Sequence, residues 1–508
     1  MNAVIDSFRL DFLKICYEMN DSTMFIYDRE TEVVKYTYSF VCSECKKIIS
    51  FFASHNVLPG DTIVTIMPNS PEAALFYFSS LLYGINYAPI PCTVTNREFD
   101  NWLQLVSPKM IIKKNGIAEY SSEVETFVCN CDGDLSWLSD YIEAFSVESN
   151  YTSNIYLMTS GTTGDPKAMS IDADILWNSG KSFINQYDLI NSGVRFWNYL
   201  PMSYLGGLFN LAFIPLCCKG SFVISEPFSG KTILNFWNFI KKHDITAVWF
   251  VPSIVQGLLK MSTLVDSKYY LDACKLIKIS FLGTAPISLK VKQEFEDKFS
   301  LRLYENFALS ETTFLTYENS SNIRFREESS VGETLSYVSI KIAPIEGLED
   351  VGEIWVKTPY LFNGYLSASG DVKAETDNEG YFNTHDLGKI NDDGILVLAG
   401  RNRDIIKKGG LFVSLVEIES VVIKNDYIET AVAVPIKHDF YGESYYLFVK
   451  IMDGLDGQKT IEKLRLWMID NVVHYKIPEK IIQVEDIPRT SSGKIRKNEL
   501  LEMVKDKL

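Results

Sequence analysis

Cysteine is missing from the C-terminal part of this chain: it holds 508 residues and nine cysteines, and none follows Cys274. Cys42 and Cys45 form a CxxC, and Cys129 and Cys131 a CxC, but neither pair sits in a glycine-rich knuckle. Reduced, buried cysteines are therefore expected rather than a zinc site. Positive charge is also short, with Lys and Arg at 49 against 65 for Asp and Glu, a net of -16. That balance lacks the basic footprint that nucleic acid or an anionic membrane surface would need. No secretory pattern opens the chain, because charges interrupt residues 1–20, and a cytoplasmic protein is expected. One run, 196–218, carries no charge and is long enough to span a bilayer. Asn198, Pro201, Ser203, Gly206, Gly207, Asn210 and Pro215 interrupt it, so a buried strand, a turn and a core helix are expected instead. Repeats and low-complexity segments are absent.

What is present reads as a globular protein, 46% hydrophobic and 22% charged, of about three units by length. Apolar strand-like runs end in helix starts or turns: Thr62 to Met67 before Asn69-Ser70-Pro71-Glu72, Ala247 to Val251 before Pro252, and Leu276 to Gly283. Such alternation predicts parallel sheets covered by helices. From about Val331 to Val397 short strands and turns predict a smaller antiparallel β unit. After Gly400-Arg401-Asn402-Arg403-Asp404, helices over 416–423 and 461–472 and strands over 431–434, 446–451 and 481–484 predict a compact α+β domain.

The most informative stretch is Met158-Thr159-Ser160-Gly161-Thr162-Thr163-Gly164-Asp165-Pro166-Lys167, after the strand-like Ile155-Tyr156-Leu157. Gly161 and Gly164 let backbone N–H groups approach an anion closely. Hydroxyls and Lys167 add donors and charge, so this is a phosphate-handling loop. Its spacing is not that of a Walker A loop, which ends Gly-Lys-Ser/Thr and leads into a helix. It resembles the phosphate loop of the acyl-adenylate-forming enzymes: acyl-CoA synthetases, free-standing adenylation domains and luciferases.

Other segments match that family in order. Gly283-Thr284-Ala285-Pro286 resembles its turn beside the adenine, and Phe307-Ala308-Leu309-Ser310-Glu311 its Tyr-Gly-x-Thr-Glu segment. The resemblance gives Phe307 the stacking on adenine and Glu311 the Mg²⁺, for which a hard carboxylate oxygen is suited. Thr384-His385-Asp386 resembles Thr-Gly-Asp, with Asp386 on the ribose hydroxyls and His385 where glycine is usual. Arg401 would reach ribose or phosphate, Arg403 falls at the inter-domain hinge where Asp or Lys is usual, and Gly409 and Gly410 fall at the thiol tunnel. Pro488-Arg489-Thr490-Ser491-Ser492-Gly493-Lys494-Ile495 resembles the C-terminal lysine loop, which makes Lys494 the adenylation lysine.

The resemblance implies an α/β architecture. A large N-terminal domain, 1–402, has two parallel-sheet lobes and a small β-barrel-like unit; a small mobile α+β domain, 403–508, carries Lys494. It implies ATP-dependent activation of a carboxylic acid to acyl-AMP with release of pyrophosphate, then transfer to a thiol, with Mg²⁺ as cofactor. ATP contacts would come from Thr159, Ser160, Gly161, Thr162, Thr163, Gly164, Lys167, Gly283, Thr284, Ala285, Phe307, Ala308, Ser310, Asp386 and Arg401. The acid pocket would involve Tyr204, Leu205, Gly206, Val251 and Gly283. Pro201-Met202-Ser203-Tyr204 stands where the family carries Pro-x-x-His, and no aspartate is found where amino-acid-activating members pair an ammonium. An unpaired ammonium in an apolar pocket is costly, so an apolar acyl or aryl acid is expected over an α-amino acid. The thiol acceptor expected is CoA, with Lys407, Lys408 and Arg195 as candidates for its 3′-phosphate. A carrier protein's pantetheine is the alternative; an inactive binding relative, whose mark would be loss of Lys494, Glu311 or Asp386, all three of which are present, is the alternative outside the enzyme class.

Overall fold

Five residues with apolar or β-branched side chains, Thr62–Ile66, form a fully buried strand, and Asn69-Ser70-Pro71 stops it. Ser70 then caps the helix Pro71–Tyr83, its hydroxyl accepting the Ala73 N–H at 3.1 Å. Proline stands in the first turn, where its missing N–H costs nothing. The same logic recurs at Ala247–Phe250, followed by the helix Pro252–Ser262.

This computed structural model describes residues 6–504, apart from 30–31, 118–121, 144–150, 160–166, 264–266, 286, 346–349, 367–371, 402–403, 409–410, 439 and 490–494. For Thr159, Lys167, Arg401 and Lys407, among others, only the backbone is described. The chain divides into two compact units. One comprises Met1–Gly283, Glu294–Asn319 and Thr358–Glu375; the other comprises Thr284–Gln293, Ser320–Lys357 and Thr376–Leu508.

The first unit holds two sheets. In the seven-stranded one the order is Tyr304–Glu305, Ile279–Leu282, Ala247–Phe250, Arg195–Asn198, Ser221–Ile224, Thr23–Arg29 and Glu32–Thr37. All neighbours are parallel except the last pair, which is antiparallel. In the eight-stranded sheet a parallel core runs Asn154–Thr159, Asn86–Ile90, Thr62–Ile66, Met110–Lys114 and Glu125–Cys129. The antiparallel strand Lys167–Asp172 extends it, with Gly364–Leu366 and Val372–Lys373 beyond. Sequence alternation thus predicted the parallel cores, and the antiparallel edges are additions to them.

The uncharged run 196–218 is mostly buried in the fold, a strand ending at Asn198 and then helix, as expected. Its helical part, however, is a π-helix over Gly206–Phe213 before the short α-helix Ile214–Cys217. At its start a Cβ on Gly207 would lie 2.4 Å from the Pro201 carbonyl oxygen, so only glycine fits this close approach. No helix among the described residues is long and apolar enough to cross a membrane.

In the second unit, Ser330–Thr334, Ile395–Arg401, Phe382–Ile390, Gly352–Lys357 and Ser339–Pro344 are antiparallel neighbours in that order. A further sheet pairs Ile428–His438 with Gly442–Ile451, flanked by Ile405–Lys408 with Leu411–Ser414 and by the parallel Lys480–Gln483. Strand alternation divides its side chains. Ala431, Ala433, Leu447 and Val449 pack with Ile418, Leu464 and Met468 of the helices Leu415–Val422 and Gly457–Asn471. Val432, Val434 and Phe448 pack with Leu500 and Val504 of the helix Lys497–Val504.

Candidate active site

Four adjacent parallel strands of the seven-stranded sheet end on the same edge. In register, Phe250 pairs with Leu282 and Leu282 with Glu305. The residues just past those ends are Val251, Gly283 and Asn306, with Asn198 closing the next strand. Val251, Gly283 and the Phe307–Glu311 segment, which sequence reasoning selected separately, therefore follow neighbouring strand ends. The Tyr204–Gly206 segment follows the fourth. Ligands of open α/β sheets bind at such carboxyl edges.

Gly283 sits against Asn306 and Trp249. A Cβ on it would lie 3.4 Å from Asn306 Oδ1 and 3.4 Å from Trp249 Nε1. Asn306 Nδ2 is spent on the Leu282 carbonyl at 3.1 Å. Val251 is buried, while Tyr204, Leu205 and Gly206 are half-buried. Phe307 is buried, its N–H donating to Thr316 Oγ1 at 2.9 Å; Ala308 is exposed and Ser310 half-buried.

Glu311 lies in the tight turn between the short paired strands Ala308–Leu309 and Thr313–Phe314. Its carbonyl accepts the Phe362 N–H at 2.7 Å, and its Oε1 accepts the Tyr365 hydroxyl at 2.7 Å. Burial, with the Glu311 charge beside it, pushes the Tyr365 hydroxyl well above the ordinary phenol range, so it stays a donor. Thr313, at φ +56, is anchored by Ser179 Oγ at 2.6 Å. The carboxylate keeps Oε2 with capacity for a cation, and a half-exposed hard oxygen held in one orientation fits Mg²⁺. Tyr365 had no signal in the sequence, because only the fold brings it to a carboxylate 54 residues away.

Asp386 is buried, and its backbone is Cα partner to Arg401 across Phe382–Ile390 and Ile395–Arg401. Two residues expected at the nucleotide from separate motifs thus have their backbones side by side in one sheet. A chain of bonds fixes the Asp386 turn: Thr384 Oγ1 donates to the Ile354 carbonyl at 2.8 Å and accepts the Asp386 N–H at 3.1 Å. Between them His385 adopts φ +57, the left-handed region that glycine takes freely. That accounts for glycine at the equivalent place in the family pattern, and for histidine being tolerated with its side chain exposed. Thr284 is also left-handed, at φ +77, and exposed; Ala285 is half-buried. A β-branched residue in that region stores strain of about 1–3 kcal/mol and marks a site worth testing.

Thr159 and Lys167 are register partners, so residues 160–166 join the paired ends of two antiparallel strands. Ser160, Gly161, Thr162, Thr163 and Gly164 lie outside the described residues, as do Arg403, Gly409, Gly410 and Lys494. The neck below Lys494 is described: Arg489 bridges Ile495, and the Arg496 N–H donates to the Pro488 carbonyl at 2.9 Å. Next to it Lys497 Nζ bonds Asp404 Oδ1 at 2.8 Å, with Glu419 Oε1 at 3.9 Å. Burial pushes the Glu419 carboxyl up to about 7, against the pull of Lys497 and of the Ala433 N–H it accepts at 2.7 Å.

Among the CoA-phosphate candidates, Arg195 is engaged within the fold, donating to Ser221 Oγ at 3.0 Å and to the His243 carbonyl at 2.8 Å. Lys408 Nζ donates to the Ile477 carbonyl at 2.7 Å. The nine cysteines are free thiols, most of them buried, and no cluster of three metal-ligating side chains occurs among the described residues.

Comparison with known proteins matches residues 14–366 to the family model for the AMP-binding enzyme and residues 417–494 to that for the AMP-binding enzyme C-terminal domain. The chain is 27% identical over 466 residues to a malonate–CoA ligase of Arabidopsis thaliana, covering 87% of this chain and 74% of that protein. It is 27% identical over 501 residues to 4-coumarate–CoA ligase 1 of Petroselinum crispum, covering 92% and 88%. Its fold is similar to that of o-succinylbenzoate coenzyme A synthetase from Bacillus subtilis in complex with ATP and magnesium, with a TM-score of 0.79, 21% identity, and 96% and 98% of the two chains covered.

Proposed function

This chain belongs to the AMP-binding enzyme family, and we propose that it is an AMP-forming ligase that joins an apolar acyl or aryl acid to CoA. The observation that carries the reading is the row of strand ends bearing Asn198, Val251, Gly283 and Phe307–Glu311 on one sheet edge. The names of its relatives, ligases of CoA with malonate and with 4-coumarate, support CoA as the acceptor and leave the acid open. The acid class rests on the pocket residues themselves. Tyr204, Leu205, Gly206, Val251 and Gly283 carry no charge, and an ammonium among them would go unpaired.

The reaction divides in two. In the first half the acid's carboxylate oxygen attacks the α-phosphorus of ATP in line, and pyrophosphate leaves with the displaced oxygen. Bound Mg²⁺ supplies charge neutralisation on the phosphates, and Glu311, oriented by Tyr365, would hold it. The residues 159–167 would donate N–H and hydroxyl hydrogens to the phosphates, Asp386 would accept from the ribose, Phe307 would stack on adenine, and Lys494 would meet the charge developing at phosphorus. In the second half the CoA thiolate attacks the acyl carbonyl, the C–O bond to phosphate breaks, and AMP leaves. Residues 403–508 would turn about Arg403 between the halves, withdrawing Lys494 and bringing Gly409 and Gly410 to the thiol path.

A pyrophosphate-release screen over a panel of carboxylic acids, with and without CoA, tests this. Release that requires one acid class, and AMP with thioester only when CoA is added, is expected. Absence of acid-dependent release across aliphatic, aryl and dicarboxylic acids would refute the reading.

A further inference from the structure

Asn69 joins two edges that the reaction needs together. It follows the strand Thr62–Ile66, at the same carboxyl edge of the eight-stranded sheet where Thr159 leads into residues 160–166. Its amide is buried and reaches 131 residues along the chain: Nδ2 donates to the Leu200 carbonyl at 2.9 Å, and Oδ1 accepts the Met202 N–H at 2.8 Å. Leu200 and Met202 flank Pro201, at the carboxyl edge of the seven-stranded sheet, two residues before Tyr204. The amide orientation is forced, since the reverse would set oxygen against oxygen and N–H against N–H.

The far end of the same segment is held by a second asparagine. Asn198 is fully buried, and its Nδ2 donates to the Gly207 carbonyl at 3.0 Å. Gly207 packs on the Pro201 carbonyl, and the N–H groups of Gly207 and Leu208 donate to the Tyr204 carbonyl at 3.2 and 3.0 Å. The backbone from Leu200 to Gly207 is therefore held at both ends by asparagine amides, with Tyr204, Leu205 and Gly206 between them.

We propose that Asn69 is a positioning residue for acid selection: through Leu200 and Met202 it sets the Tyr204–Gly206 wall against the sheet edge at which the strand Asn154–Thr159 ends. This rests on the ligase reading above. A side chain chosen only for stability could be any residue that fills the space. Asn69 instead satisfies one donor and one acceptor of the same extended backbone, which only a carboxamide of this length does.

The test compares wild type with Asn69→Asp, which is isosteric but turns an oxygen toward the Leu200 carbonyl, and with Asn69→Ala. Steady-state constants for acid and ATP are measured by pyrophosphate release, together with the profile over the acid panel. The expected result is a rise of about 10- to 100-fold in KM for the preferred acid, the scale of a sub-ångström to 1 Å misplacement, with KM for ATP within about twofold and a broadened acid profile. An unchanged acid profile, or losses that fall equally on acid and ATP, overturns the proposal while leaving the ligase reading standing. A wild-type protein without acid-dependent pyrophosphate release overturns the reading itself, and the acid role of Asn69 with it. Should Asn69→Ala be insoluble, Asn69→Asp carries the same comparison.

Discussion

The Tyr365 hydroxyl donates to Glu311 Oε1 at 2.7 Å, and the Phe362 N–H, three residues before it, donates to the Glu311 carbonyl at the same distance. One segment thus grips both the backbone and the carboxylate of the residue assigned to Mg²⁺. Removing a hydrogen bond to a charged group costs about 1.5–3 kcal/mol. Tyr365→Phe should therefore raise the Mg²⁺ concentration for half-maximal adenylation by about tenfold, with Glu311→Gln more severe. Titration calorimetry of ATP at several Mg²⁺ concentrations reads the same shift without turnover. Coincident Mg²⁺ curves for wild type and both variants would remove Glu311 from the metal.

Lys494→Ala should abolish acyl-AMP formation by more than about a hundredfold, the scale for one positioned transition-state donor. Conversion of pre-made acyl-AMP to thioester should persist. Exchange of pyrophosphate into ATP at near wild-type rate would assign adenylation to another residue. Lys497→Met, which cuts the tether from the neck of that loop to Asp404, should lower adenylation less than Lys494→Ala does.

His385 occupies a left-handed backbone at the Asp386 turn, where a non-glycine residue costs about 1–2 kcal/mol. Glycine relieves that cost but adds unfolded-state entropy, so His385→Gly should leave stability within about 1 kcal/mol of wild type, with KM for ATP unchanged. Asp386→Asn, by contrast, should raise KM for ATP. If His385→Gly weakened ATP binding as much as Asp386→Asn, the histidine side chain would itself be a nucleotide contact.

Burial holds the Glu419 carboxyl near 7, above its unfolded value. The folded state then binds the proton more tightly, so stability from this group is full at low pH and falls as pH rises from about 4.5 through about 7. Glu419→Gln should flatten that slope and raise the melting midpoint at pH 8 relative to wild type, by up to about 3 kcal/mol in stability. Parallel melting curves of the two proteins from pH 5 to 8 would show Glu419 ionised throughout.

Much of this was legible in sequence because it is local. Ser70 and Pro71 announce their helix, the strand ends before Val251 and Gly283 are marked by Pro252 and by glycine, and Phe307–Glu311 keeps its order relative to them. Partners that only the fold supplies were not legible: Tyr365 for Glu311, and Asn69 for Leu200 and Met202. The π-helix over Gly206–Phe213 was hidden for a different reason. An uncharged run with no charged face gives no period from which a π-helix could be told from an α-helix. His385 concealed a glycine-like turn because its type says nothing about its φ.

The central claim, that the acid's own oxygen attacks the α-phosphorus, is tested most directly by isotope transfer. The enzyme is given its preferred acid labelled with ¹⁸O in both carboxylate oxygens, with ATP, Mg²⁺ and CoA, and the products are weighed by mass spectrometry. The mechanism predicts one labelled oxygen in each AMP and none in pyrophosphate, because the bridging oxygen of the anhydride departs with phosphate when the thiol attacks. Unlabelled AMP, or label in inorganic phosphate alongside ADP, would contradict it.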